Sequence, residues 1–376
     1  MARLEAAVLG GRWWRLAGLL AAMVLFGVGS QDPRVRWGWD RVLGTVERGE
    51  RWFLGRNFAA QSERAGWNRR RPLPTPMILG YYFGPAGDCS GYDSLASYRS
   101  VLSGIVPFWY TVEPDGEISG SKDSRVLSLA RRQHLWVFAL LQNMNGPQVY
   151  HELLENPLNR LRAMDNILNL VERDDYDGVN LDWEGIAPGD REAFSSFVAD
   201  LGRLLHDYGY YLTLSVPAET ADEPGNDWTG AYDYRALGRA VDLLMPMAYD
   251  EHFQGGDPGS IAAGSWVDQV LRFTVRTVPP AKVVLGIPTY GYDWGQGPAR
   301  PLSYGQAVNL AAQYNHGNIQ ENHFDYVSDG QLHQVWFENT SSFSRKVSLV
   351  QDYEIRGIVL WRLGIEDPQI WPIIRG

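Results

Sequence analysis

Between Met77 and Trp361 the sequence repeatedly exchanges short apolar runs for amphipathic stretches, and this limits the fold more than any other feature. Apolar runs of four to eight residues separated by segments of helical periodicity describe a parallel α/β fold. The runs are Met77–Phe83, Gly104–Tyr110, Leu135–Gln142, Gly178–Glu184, Tyr211–Val216, Asp242–Ala248, Lys282–Pro288 and Gly357–Trp361. Eight strands over about 300 residues fit a closed (β/α)8 TIM barrel better than an open sheet.

Two intervening stretches carry clear helical stripes. Glu192–Asp207 places Phe194, Phe197, Val198, Leu201, Leu204 and Leu205 on one face, and Ser265–Val278 does so with Trp266, Val270, Leu271 and Val275. The connection from Trp294 to about Ser341 is longer than a strand-to-helix loop requires. It contains a helical run, Tyr304–Tyr314, and a hairpin signal at Ser328-Asp329-Gly330. It reads as a small α+β insertion, about 295–340, between the seventh and eighth strands. A helix over Ser342–Tyr353 then leads into the last strand.

The fourth strand carries the chemistry. In Asn180-Leu181-Asp182-Trp183-Glu184 the polar residues are two apart, so an extended chain sends all three to one face and the apolar ones to the other. Same-face Cα atoms lie roughly 6.6 Å apart. Two carboxylates so placed on a buried strand repel one another and are costly to desolvate. The alternative is an edge strand with a solvated face, against which the flanking apolar residues argue. Gly185 and the Pro188-Gly189-Asp190 turn end the run, which puts Glu184 at the C-terminal mouth where parallel barrels keep their chemistry.

Charge is unevenly spread. Residues 1–76 hold thirteen Arg and six acidic residues, a net of +7, while the remainder is net −17. An acidic main domain argues against nucleic acid as a partner, and none is expected. Cys89 is the single cysteine, so no intrachain disulfide or cysteine-based metal site is expected, and the seven His show no ligand spacing. No cofactor is expected, and a monomer is.

Arg12 and Arg15 precede thirteen uncharged, mainly apolar residues, Leu16–Val28, followed by Gly29-Ser30-Gln31. This describes a secretory signal over residues 1–30 or, if uncleaved, an N-terminal anchor, and implies a secreted or extracytoplasmic protein. Residues 31–76 read as a basic linker ending in the stiff Arg69–Pro76 segment. It is suited to contact with anionic lipid or wall polymer, or else is simply solvated.

The stretch Asp177-Gly178-Val179-Asn180-Leu181-Asp182-Trp183-Glu184 resembles the D-G-x-D-x-D-x-E signature of glycoside hydrolase family 18, the chitinase-like barrels. Met247-Ala248-Tyr249-Asp250 matches the family's M-x-Y-D at the end of the sixth strand, and Gly80-Tyr81-Tyr82 its first-strand G-Y-Y. Asn180, where the wider family has Asp, and the seventh strand are similar to the bacterial spore-cortex-lytic and cell-wall N-acetylglucosaminidase branch. So is the Leu141-Gln142-Asn143 ending of the third strand, which lacks the chitinase Ser-x-Gly-Gly. The resemblance covers residues 77–376. It implies that Glu184 is the general acid/base, that Asp182 and Tyr249 act on the substrate's acetamido group, and that Asp250, Met247, Asn143 and Asn180 line the sugar site. It further implies that Trp361 lies beneath the sugar, with Tyr81 and Phe83 on the cleft face. The other reading of Tyr249 and Trp361 is plain core packing. An amide at residue 180 cannot ionise, and its NH2 is expected to donate to an ionised Asp182.

The implied substrate is a polysaccharide containing N-acetylglucosamine. Peptidoglycan, the spore cortex included, is one form, cleaved by a retaining mechanism in which the substrate's own acetamido oxygen attacks. The alternatives are a chitinase or chitobiase, and a non-catalytic sugar-binding barrel. Members of the last kind typically lack the motif Glu, which is present here.

Overall fold

The computed structural model describes residues 71–84, 88–143, 147–314 and 322–375; the leader and residues 31–70 of the basic segment lie outside them. The described residues fall within one unit, Arg70–Gly376. Eight parallel strands form its centre: β1 (Met77–Tyr82), β2 (Gly104–Val112), β4 (Trp136–Gln142), β5 (Gly178–Asp182), β6 (Tyr211–Pro217), β7 (Leu243–Met247), β8 (Val284–Pro288) and β13 (Gly357–Trp361). Each pairs with the next, and β13 pairs with β1, which closes the barrel. The short β3 (Ile118–Gly120) folds back antiparallel on β2 past the Pro114-Asp115-Gly116 turn.

Strand alternation divides the apolar residues into two layers. Met77, Leu79 and Tyr81 of β1, with Val106, Trp136, Phe138, Leu140, Tyr211, Leu243, Met245, Val284 and Val359, fill the lumen. The residues between them face outward into a larger cluster shared with the helices. At the N-terminal end the Arg71 guanidinium lies 3.6 Å from the Trp136 ring centroid, and Tyr211 donates to the Arg71 carbonyl at 2.8 Å. Leu73 packs on the lumen cluster. Residues 71–76, expected to be linker, therefore run against the barrel.

The outer helices are α1 (Ser90–Tyr98), α2 (Ser124–Arg132), α3 (Pro147–Glu155), α4 (Pro157–Asp174), α5 (Arg191–Asp207), α6 (Tyr234–Ala240) and α7 (Gly264–Thr277). The buried face of α5 is Phe194, Phe197, Val198, Leu201 and Leu205, with Leu204 at its margin. On α7 the buried positions are Val267, Val270, Leu271 and Thr274; Trp266 and Val275, expected inside, are only half-buried, so the stripe is rotated from the sequence reading.

Between β8 and β13 the chain builds a second sheet, ordered β10 (Arg300–Ser303), β9 (Tyr290–Trp294), β12 (Gln331–Phe337), β11 (His323–Ser328), with α8 (Tyr304–Gln313) against it. It begins at Tyr290, several residues earlier than the sequence suggested, because Thr289 interrupts one apolar run that serves as two strands. Ser328 pairs with Gln331 around a two-residue turn in which Asp329 and Gly330 have φ of 51° and 73°, the geometry a tight hairpin favours. Helix α9 (Thr340–Asp352) leads into β13, and α10 (Ile370–Arg375) follows.

Candidate active site

The β5 alternation does what its sequence demands. Val179, Leu181 and Trp183 point outward and are fully buried. Trp183 is stacked among Tyr150, Phe194 and Phe197 at centroid distances of 4.9, 6.0 and 5.1 Å. Burying a side chain of this size is worth about 2–3 kcal/mol, enough to pin the strand end. Asn180 and Asp182 lie on the opposite, luminal face, both buried. Strand pairing stops at Asp182, so Glu184 stands beyond the sheet, in front of Gly185 with its φ of 69°. Its backbone is held from the side, since the buried Tyr232 donates to the Trp183 carbonyl at 2.6 Å.

Asn180 does not serve Asp182 as expected. Its Nδ2 donates to Thr213 Oγ1 at 3.0 Å and reaches Met245 Sδ at 3.6 Å, while its Oδ1 accepts from Ser215 Oγ at 3.0 Å. Ser215 also bonds the Tyr81 hydroxyl at 2.6 Å. A chain of neutral groups, Tyr81, Ser215, Asn180 and Thr213, thus consumes the amide inside the lumen. Asp182 Oδ1 is left buried without a partner among the described residues. Burial therefore dominates, and with the charge of Glu184 it pushes the Asp182 carboxyl well above the ordinary range; Ser215 opposes this more weakly. The amide of Asn180, expected to donate to Asp182, is turned to Thr213 and Met245 instead.

Glu184 is reached by solvent, yet protein surrounds it on its other sides, and that desolvation raises its pKa, with Asp250 adding to the shift. Asp250 follows β7 in the left-handed region, φ 59°, which Asp tolerates better than most residues. Its Oδ1 accepts from Tyr290, and from Tyr292 at 3.2 Å; these bonds lower its pKa, but burial outweighs them. No Lys or Arg among the described residues acts on any of the three carboxyl groups. Burial thus favours the protonated form of each of the three.

Tyr249 is half-buried beside Tyr290, at 6.4 Å and 81° between rings. A Cβ on Gly286 would lie 3.1 Å from its Cε1, so glycine lets the ring lie close over β8. Burial raises its phenol, keeping it a hydrogen-bond donor. Trp361 meets Tyr81 edge-on at 5.2 Å and Phe108 at 6.0 Å, and Phe108 meets Phe83 at 5.5 Å, which forms one aromatic wall. Strand β9 joins it through the cluster of Tyr290, Tyr292 and Trp294 with Tyr249 and Trp361. Met247 is half-buried at the end of β7, and Asn143 directly follows β4. All ten residues singled out in the sequence therefore lie at or just inside the C-terminal mouth.

The sequence reading missed several others. Ser215 and Thr213 were legible as polar residues alternating in β6. Gln142, buried and opposite Asp182 in register, donates to Thr111 Oγ1 at 2.7 Å and leaves its own Oε1 without a partner among the described residues. Tyr232, Tyr290 and Tyr292 carry no local signal. Among the described residues no group of three or more His, Cys, Asp or Glu side chains is placed to hold a metal ion. A cavity of about 450 Å3 lies away from the mouth, between the start of α7 and α9.

A closed parallel barrel with protonatable carboxyl groups and an aromatic wall at its C-terminal mouth is the frame of a glycosidase. The family model for glycosyl hydrolases family 18 matches residues 121–366, and the chain belongs to that family. It is 30% identical over 317 residues to an uncharacterised glycosylase, YvbX, of Bacillus subtilis, covering 80% of this chain and 90% of that one. It is 34% identical over 290 residues to the cortical fragment-lytic enzyme of Bacillus cereus, covering 73% and 67%. The structure of a chitinase from Chromobacterium violaceum superposes with a TM-score of 0.73 at 32% identity, covering 80% of this chain and 98% of that one. The chain is a glycoside hydrolase.

Proposed function

We propose that the enzyme cleaves β-1,4-linked N-acetylglucosamine in peptidoglycan, the spore cortex included, by a retaining, substrate-assisted mechanism. The observation that carries this is Asp182 Oδ1, a buried acceptor without a partner among the described residues, two residues before a carboxyl group whose pKa is raised by its surroundings. A buried acceptor left open is costly unless the substrate supplies a donor, and an acetamido N–H is such a donor. Asp182 then orients the acetamido group so that its carbonyl oxygen attacks the anomeric carbon, while the Tyr249 hydroxyl donates to that oxygen. Glu184 gives its proton to the leaving oxygen and afterwards takes one from the water that opens the cyclic intermediate. Trp361 offers an apolar face to the sugar ring, and Asp250 contacts the same sugar. The mechanism replaces the second carboxylate of ordinary glycosidases by a group of the substrate.

Peptidoglycan is favoured by the likeness to the cortical fragment-lytic enzyme and by the chain's Asn180 and Leu141-Gln142-Asn143. Chitin oligomers are the second reading, favoured by the 32% identity to a chitinase over nearly its whole length. Reducing-sugar release from purified peptidoglycan and from chitin oligomers separates them: faster turnover of chitin oligomers would reverse the assignment. A secreted or anchored location is part of the same proposal. It rests on the basic and apolar leader; no described helix is long and apolar enough to cross a membrane.

A further inference from the structure

Strand pairing holds Asp182 but not Glu184, which lies two residues past the last rung of β5. The loop between β6 and α6 supplies what the sheet does not. Tyr232 of that loop is fully buried, and its hydroxyl donates to the Trp183 carbonyl at 2.6 Å. The Ile186 N–H is turned to the same hydroxyl. A phenol oxygen donates once and can also accept, so one atom serves both groups.

The two contacts bracket Glu184. A peptide unit is planar, so the direction of the Trp183 carbonyl fixes the direction of the Glu184 N–H and Cα. The Ile186 N–H belongs to the unit that follows Gly185, where a φ of 69° bends the chain. With the units on both sides held, few backbone orientations remain to Glu184, and its carboxyl is aimed before substrate arrives.

Tyr232 is itself immobilised. Its N–H donates to the Thr229 carbonyl at 3.0 Å, and its ring meets Phe194 of α5 edge-on at 5.7 Å. The next residue, Asp233, caps α6 by accepting from the Ala236 N–H at 2.9 Å. Tyr234 makes a bond of the same kind to a different place. Its buried hydroxyl donates at 2.5 Å to the carbonyl of Pro217, the last residue of β6. Two buried tyrosines of one segment thus each hold a carbonyl, one beside the acid and one away from it.

We infer that Tyr232 is a positioning residue for Glu184. Fully buried, it acts through the peptide units on either side of the acid rather than on the sugar. This rests on the proposed reading of Glu184 as the acid. A misplacement of about 1 Å can cost about a hundredfold in rate, and here the cost falls on the step that needs the proton.

The test uses the full chain and two substrates that differ in leaving group. The β-1,4-linked N-acetylglucosamine tetrasaccharide must have its departing sugar oxygen protonated. The 2,4-dinitrophenyl glycoside of N,N′-diacetylchitobiose releases a stable phenolate that needs no proton. Tyr232→Phe should lower kcat/KM about tenfold or more on the tetrasaccharide and less than about threefold on the dinitrophenyl glycoside. The ratio between the two substrates does not depend on how much of a preparation is folded. Tyr234→Phe removes an equivalent buried bond, so it should lower the melting temperature similarly yet leave kcat/KM on both substrates within about twofold. An equal loss on both substrates in Tyr232→Phe, no loss on the tetrasaccharide, or the same pattern in Tyr234→Phe overturns the assignment. Glu184→Gln is measured beside them. If its own loss is equal on the two substrates, the reading of Glu184 as the acid fails and takes the role of Tyr232 with it.

Discussion

The barrel mouth and the junction of the second sheet both gather ionisable groups, and they do so in opposite ways. At the junction Glu338 and Lys346 are both buried, and Lys346 Nζ lies 2.9 Å from each Glu338 oxygen. Nearby, buried Asp293 is met by His333 at 2.9 Å, Arg300 at 2.9 Å and Tyr326 at 2.8 Å. Every such charge has an opposite charge or a donor. At the mouth, Asp182, Glu184 and Asp250 have no cation among the described residues acting on them, and Asp182 Oδ1 and Gln142 Oε1 have no partner among those residues. Partnered charges fix how the elements sit, whereas a buried acceptor left open raises the energy of the empty site and awaits a substrate.

The comparison breaks most sharply at Glu184. Exchanging its carboxyl for an amide, Glu184→Gln, keeps the shape and removes the proton donor. General acid catalysis contributes about 100- to 10,000-fold, so turnover should fall at least a hundredfold with the melting temperature held or raised. More than a tenth of wild-type turnover would remove Glu184 from its role.

Lys346→Met attacks the other region. Leaving Glu338 buried and alone should destabilise the fold by about 3–5 kcal/mol in denaturant titration, and the double variant Lys346→Met with Glu338→Leu should recover most of it. A single-variant loss under 1 kcal/mol would show that the junction pair does not hold the sheet.

Asp250 sharpens the comparison through pH. Its charge helps keep Glu184 protonated, so activity persists until the raised pKa of Glu184 is passed. Asp250→Asn removes one cause of that elevation. The alkaline limb of kcat/KM should then move to lower pH, even where the maximum also drops. A limb that stays in place would separate the two groups electrostatically.

Glu219 carries the comparison into the pH dependence of stability. It is buried past β6, both oxygens lack partners among the described residues, and burial lifts its pKa to about 9. The folded state holds this proton above the unfolded value near 4.5, so its contribution is fully present below that pH and declines as pH rises towards 9. Glu219→Gln removes the decline. Its stability advantage over wild type should grow by up to about 1.4 kcal/mol per pH unit across that window. Parallel stability curves for the two proteins would mean that Glu219 is already charged in the fold.

Much of this was written in local sequence, and the remainder was not, for physical reasons. Strand period and helix period are properties of neighbours along the chain, so β5, the α5 stripe and the Asp329-Gly330 hairpin could be read directly. The facing of Asp182 followed from the same alternation. What an amide bonds is a tertiary matter: Asn180 is satisfied by Thr213 and Met245, 33 and 65 residues away. The same holds for the pair of tyrosines on Asp250, 40 and 42 residues distant. Strand β9 was missed because the sequence gives a continuous apolar run no sign that it leaves one sheet for another at Thr289.

Asp182 is where the contrast between the two regions can be read in a single protein. Asp182→Asn replaces the buried carboxyl, whose Oδ1 has no partner among the described residues, and keeps the volume. Turnover on a soluble β-1,4-linked N-acetylglucosamine tetrasaccharide and thermal unfolding should be measured on the same preparation at pH 7. If the mouth is held in reserve for substrate, turnover falls at least a hundredfold while the melting temperature rises. A melting temperature that falls as it does in Lys346→Met, or turnover that survives, would contradict the account.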